Sequence, residues 1–126
     1  TATAVPMVFP TSTPGKPETY TVQVDEHPYC IARRFNVNPA DLLSLNSITE
    51  STVLFPGMEL KIPATGSWEA GPRSLKEHPT QYTVLAGDTL YKIACGFGDV
   101  SPNEIMDANQ LENAEALTSG QVLQIP

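Results

Sequence analysis

The stretch VLAGDTLYKIACGFG, Val84 to Gly98, decides how the chain is read, because a version of it occurs twice. Its counterpart is VQVDEHPYCIARRFN, Val22 to Asn36. Working outward, Tyr20, Thr21, Val22, Tyr29, Ile31, Ala32 and Phe35 recur as Tyr82, Thr83, Val84, Tyr91, Ile93, Ala94 and Phe97. A one-residue insertion near Asp99 then lets the match run on. Val37, Pro39, Asn46, Leu54, Gly57, Leu60, Ile62 and Pro63 return as Val100, Pro102, Asn109, Leu117, Gly120, Leu123, Ile125 and Pro126. Chance would supply roughly three such identities over this length, so the chain contains an internal repeat. The repeat defines two modules, 19–63 and 81–126, joined by a linker at 64–80 and preceded by a Thr/Pro-rich segment at 1–18.

Each module reads as strand, helix, helix, strand. TYTVQV and QYTVLA are β-branched and aromatic with alternation, which suits short strands. The first helix begins at Pro28 in one copy and behind an Asp88 or Thr89 cap in the other. Ile31, Ala32 and Phe35, like Ile93, Ala94 and Phe97, fall on one helical face. Asn36 and Gly98 suit a left-handed stop. Pro39 and Pro102 open the second helix, Ser101 and Glu104 form a capping-box pattern, and Asn46 and Asn109 close it. MELKIP and QVLQIP supply the last strand. The expected fold class is α+β: two small βααβ modules, each a two-stranded antiparallel sheet with two helices on one face.

Composition removes several functions. The net charge is −7, and Arg33-Arg34 is the longest basic run, so no basic patch exists to hold nucleic acid. No apolar run reaches the ~20 residues of a membrane span. The chain starts TATAVPMVFP without an initiator Met and is expected to have lost a leader, by processing or by the way the sequence was cut. His27 and His78 are far apart in sequence, which disfavours a metal site, and no cofactor motif is present. No GxSxG elbow or triad spacing appears, so the chain is expected to be non-catalytic.

The second copy, with Tyr82-Thr83-Val84, Gly87-Asp88-Thr89-Leu90, Ile93-Ala94, Phe97, Asn109, Leu117, Gly120-Gln121 and Leu123 to Pro126, resembles the LysM module, a βααβ glycan-binding unit. The first copy resembles it at both ends and at Ile31-Ala32, Phe35, Leu45-Asn46 and Pro56-Gly57. It departs where Asp25-Glu26-His27-Pro28 replaces Gly87-Asp88-Thr89-Leu90. The resemblance implies non-catalytic binding of N-acetylglucosamine-containing polysaccharide, peptidoglycan or chitin-type, by a secreted or cell-surface protein. It places the groove between Gly87, Asp88, Thr89, Leu90 and the facing loop Gln110, Leu111, Glu112, Asn113, Ala114. The first-module counterpart is Asp25, Glu26, His27, Pro28 facing Ser47, Ile48, Thr49, Glu50, Ser51. Its altered turn fits a scaffold at least as well as a binder, so binding is expected mainly in the second module.

Cys30 aligns with Lys92 and Cys95 with Arg33, so the cysteines are not one duplicated position. They fall three residues apart on equivalent helices, on neighbouring surface. Packing of the two first helices would allow a Cys30–Cys95 disulfide, a staple suited to modules this small. Two buried free thiols are the alternative. Trp68, alone in the linker, is expected to dock on a module. AVPMVF, Ala4 to Phe9, has the apolar character to add to a sheet edge. That leaves a second functional class open: a structural subunit of an extracellular fibre or sheath, self-associating through residues 4–9.

Overall fold

The computed structural model describes residues 16–126, so the expectation for Ala4 to Phe9 lies outside the described residues. The elements are β1 (Thr19–Thr21), α1 (Pro28–Phe35), α2 (Pro39–Leu45), β2 (Glu59–Lys61), β3 (Thr80–Thr83), α3 (Leu90–Phe97), α4 (Pro102–Asn109) and β4 (Val122–Ile125). β1 pairs antiparallel with β2, Tyr20 opposite Leu60, and β3 with β4, Tyr82 opposite Leu123. The fold is therefore α+β, two βααβ modules. No helix among the described residues is long and apolar enough to cross a membrane.

Each module has its own core. Val22, Ile31, Ala32, Val37, Leu42, Leu60 and Ile62 fill the first. The aligned Val84, Ile93, Ala94, Val100, Ile105, Leu123 and Ile125 fill the second, together with Leu90 and Phe97. Repetition of sequence is thus repetition of packing, and β-strand alternation sets which residues point inward. Helix ends follow local chemistry. Asn38 accepts from Ala40 N and Asp41 N to cap α2, and Ser101 with Glu104 forms a complete capping box on α4.

A second repeated device ties helix to strand. Asn109 Nδ2 donates to Ile105 O and Gln124 O, and Asn109 Oδ1 accepts from Gln124 N, all at 2.8 Å. Asn46 does the same with Leu42 O, Lys61 O and Lys61 N. One side chain thereby satisfies a helix-end carbonyl and both polar groups of a strand residue. Removing it strands those groups, so Asn109→Ala is expected to cost about 1–3 kcal/mol. Thermal melts of wild type and variant check this, and equal melting temperatures would remove the staple role.

The linker binds both modules. Trp68 is buried against the first core, its indole Nε1 donating to Gly71 O (2.8 Å) and its backbone N to Asn36 Oδ1 (3.0 Å). Tyr29 packs edge-on against its ring and the Arg33 guanidinium lies 4.4 Å above it. Arg73 then donates to Arg33 O and Arg34 O at the end of α1, both at 2.8 Å. Leu75 N donates to Phe97 O (2.8 Å) at the end of α3. Where the linker crosses α3, Gly98 has φ +97°, and a Cβ there would run into Arg73 O. The inserted residue Asp99 pairs with His78 at 2.8 Å.

α1 packs against α3, and Cys30 and Cys95 are joined by a disulfide with Cα atoms 5.3 Å apart. Because the two cores are separate, this bond and the linker hold the modules together.

Candidate glycan groove and the module seam

The turn between first strand and first helix is built in the second module by three consecutive residues. Gly87 takes φ +85°, a value that favours glycine. Asp88 folds back to accept from Tyr82 Oη (2.6 Å) and Leu85 N (2.9 Å). The Tyr82 hydroxyl, and after it the Leu85 amide, hold the Asp88 carboxyl below its usual range, while the Tyr82 phenol is pushed up to about 12, chiefly by that same hydrogen bond. Thr89 Oγ1 accepts from Lys92 N (3.1 Å) and so caps α3. Of the two candidate caps, Thr89 holds the helix and Asp88 holds the turn.

The first module makes the same turn from different letters. Asp25 occupies the Gly87 position with φ +66°. Glu26 replaces Asp88, accepting from Tyr20 Oη and Gln23 N at 2.8 Å. His27 replaces Thr89, its Nδ1 accepting from Cys30 N at 3.3 Å. Partial burial of the ring, and then the Arg33 guanidinium, hold His27 below the ordinary imidazole range, which keeps the neutral cap. The sequence departure at 25–28 is therefore not a departure in backbone. Asp and Asn tolerate the left-handed region better than other side-chain-bearing residues, and His can serve as an acceptor cap.

What differs is the charge. Glu26 is one methylene longer than Asp88 and reaches Arg34 Nη1 at 2.7 Å, with both side chains buried. Arg34 Nη1 also donates to Tyr20 Oη (3.1 Å), and its Nη2 lies 3.5 Å from Cys30 Sγ and 3.7 Å from Cys95 Sγ. Burial chiefly, with Glu26 adding to it, raises the Tyr20 phenol far above its ordinary value. The aligned position in the second module is Gly96, so no such pair exists there.

A cavity of about 250 Å³ opens between the second turn and its facing loop, lined by Asp88, Thr89, Tyr91, Ala114, Glu115, Leu117 and, from the first module, Val24. Of the nine candidate residues, Asp88, Thr89 and Ala114 line it. Gly87, Gln110, Glu112 and Asn113 are exposed outside the lining set. Leu90 is buried in the core and Leu111 packs against it, and neither lines the cavity. Leu90 opens the apolar face of α3, whereas Leu111 is turned back onto the core by the left-handed cap at Gln110, its N–H donating to Met106 O.

In the first module Pro28 is buried and Glu26 is enclosed in its ion pair, which withdraws both side chains from any groove. Ile48 packs on the core, while Ser47, Thr49, Glu50 and Ser51 are exposed. His27 is exposed, and Asp25 Oδ2 accepts from Thr89 Oγ1 across the seam at 2.7 Å. The two turns therefore touch each other. Tyr91, Glu115, Leu117 and Val24 are wall residues that sequence reasoning missed. Tyr91 and Leu117 were legible only as repeat identities, and Val24 reaches the cavity only because the modules dock.

Two βααβ modules, each closed by a Tyr-carboxylate-clipped turn before its first helix, define a tandem-repeat protein with a groove at one turn. The family model for the LysM domain matches residues 20–63 and 82–126, well over half of the chain, and the chain belongs to that family. It is similar to the N-acetylmuramoyl-L-alanine amidase sle1 of Staphylococcus saprophyticus, 37% identical over 95 residues, covering 75% of this chain and 28% of that protein. The same-named amidase of Staphylococcus aureus is 35% identical over 98 residues, covering 75% and 29%. The chain thus spans less than a third of the length of these curated relatives. The solved spore cortex-lytic enzyme SleL of Bacillus megaterium is similar over 86% of this chain and 22% of its own, at 28% identity and a TM-score of 0.34.

Proposed function

We propose that the chain is a non-catalytic binding unit for N-acetylglucosamine-containing glycans of the peptidoglycan or chitin type, acting at the cell surface through the second module. The observation that carries this is the cavity between Asp88-Thr89 and Ala114-Leu117. Its lining is apolar at Val24, Ala114 and Leu117 and polar at Thr89, Tyr91 and Glu115, which suits an N-acetyl group: a methyl to bury and an amide to hydrogen-bond. The Asp88 carboxylate is already engaged by Tyr82 and Leu85, so it serves as the clip that holds the loop rather than as a reacting group. The similarity to amidases named for an N-acetylmuramoyl substrate favours a cell-wall glycan. It extends over only 28% of that protein's length, which supports a binding portion without the chemistry.

Titration calorimetry with N-acetylglucosamine oligomers and solubilised peptidoglycan tests this. Ala114→Trp, which fills the cavity from a half-buried wall position, is expected to weaken binding at least about tenfold, with an unchanged circular dichroism spectrum and melt showing that the fold is retained. Gly87 is a poorer target, since any side chain at φ +85° strains the turn itself. No binding at millimolar ligand, or an Ala114→Trp variant as good as wild type, would overturn the groove.

A further inference from the structure

A second cavity, of about 280 Å³, lies on the module seam and is lined by Tyr20, Gln23, Arg34 and Phe35 of the first module and Tyr91, Ser101, Pro102 and Asn103 of the second. It shares Tyr91 with the groove, and the chain neighbours Gln23 and Val24 wall one cavity each. The two spaces are therefore neighbours along the seam, with Tyr91 lining both. Burial raises the Tyr91 phenol, and its next influences are Glu115 of the groove and Glu26 behind the seam cavity, consistent with a ring facing both spaces.

We propose that this seam cavity is a second sugar subsite, which takes the next residues of a glycan whose first N-acetyl unit sits in the groove; it rests on the groove reading above. The wall chemistry is that of a neutral carbohydrate site. Tyr20, Phe35 and Tyr91 offer aromatic surface, with Tyr20 and Phe35 held edge to face at 5.2 Å. Gln23, Ser101 and Asn103 offer short polar groups. Arg34 adds the edge of a guanidinium to the wall. Its charge is already matched by Glu26 at 2.7 Å, and the chain carries a net −7, so an anionic ligand gains little here. The subsite exists only when both modules are docked, because neither contributes more than half of its wall. Such a site would make the tandem arrangement bind longer glycans more tightly than avidity between separate modules requires.

The test uses the full chain, an N-acetylglucosamine trimer and a hexamer, and calorimetry with amide chemical-shift mapping. Asn103→Trp fills the seam cavity from the exposed first turn of α4 without touching the groove. The expected result is unchanged trimer binding, a loss of about tenfold for the hexamer, and shifts at Gln23, Tyr91 and Asn103 with hexamer. If Asn103→Trp binds the hexamer as wild type does while Ala114→Trp loses both oligomers, the subsite is overturned and the groove stands. If Ala114→Trp loses nothing while Asn103→Trp loses the hexamer, the groove is overturned, and with it the subsite as a continuation of that groove. A wild-type chain that binds neither oligomer overturns both.

Discussion

Reducing the Cys30–Cys95 disulfide, or replacing both residues by alanine, is expected to lower stability by about 4 kcal/mol and the melting temperature by on the order of 15 °C. The bond joins positions 65 residues apart, and closing a loop of that length removes much of the freedom of the unfolded chain. The folded side of the balance also depends on it. The two cores share no apolar cluster, and each is small for a unit that must fold alone. Across the seam, the bond is joined by the Asp25–Thr89 hydrogen bond and by the linker contacts of Arg73 and Leu75. Thermal melts with and without reductant measure the effect, and coincident curves would sink it. Loss of the bond should also cost glycan affinity, because Val24 and Gln23 form part of the cavity walls only while the modules are docked.

Much of this was legible in the sequence, and the limits have physical causes. The repeat placed all four helices and both sheets, because buried apolar positions recur at fixed spacing and Pro39, Pro102 and Ser101 mark helix starts through local chemistry alone. The change from Gly87 to Asp25 removes the usual sequence signal for positive φ, so the segment 25–28 reads as a departure; the backbone takes the same path with Asp25 in the left-handed region. The candidate groove was legible as two facing loops, but which side chains face outward was not. Leu90 follows the cap residue in sequence yet lies on the buried face of α3. Val24, Gln23 and Arg34 enter the cavity walls through tertiary docking, and no local pattern encodes contact between residues some sixty positions apart. The Asn46 and Asn109 staples fall in the same class: each was readable as a helix end, but its strand partner lies 15 residues on.

Glu26→Ala is expected to destabilise the first module by about 3–5 kcal/mol, the usual cost of leaving one member of a buried ion pair without its partner. The Glu26 side chain is fully buried and that of Arg34 is 3% exposed, so water cannot replace the lost carboxylate. The same substitution orphans Tyr20 Oη and Gln23 N, which both donate to Glu26. The second module supplies the control. Asp88→Ala removes the same turn clip from Tyr82 and Leu85 but strands no buried guanidinium, since Gly96 stands where Arg34 does. It should cost about 1–3 kcal/mol, the scale of unsatisfied neutral groups. A Glu26→Met/Arg34→Met double variant separates charge from packing: removing both charges should recover most of the loss, because apolar pairs of similar volume often replace buried ion pairs at little cost. Denaturant melts of the three variants decide the matter. Equal losses for Glu26→Ala and Asp88→Ala, or a double variant no better than the single, would show that the pair is not what sets the stability of this turn. A recovered double variant should still bind long glycans less well, since Arg34 lines the seam cavity whatever its share in stability.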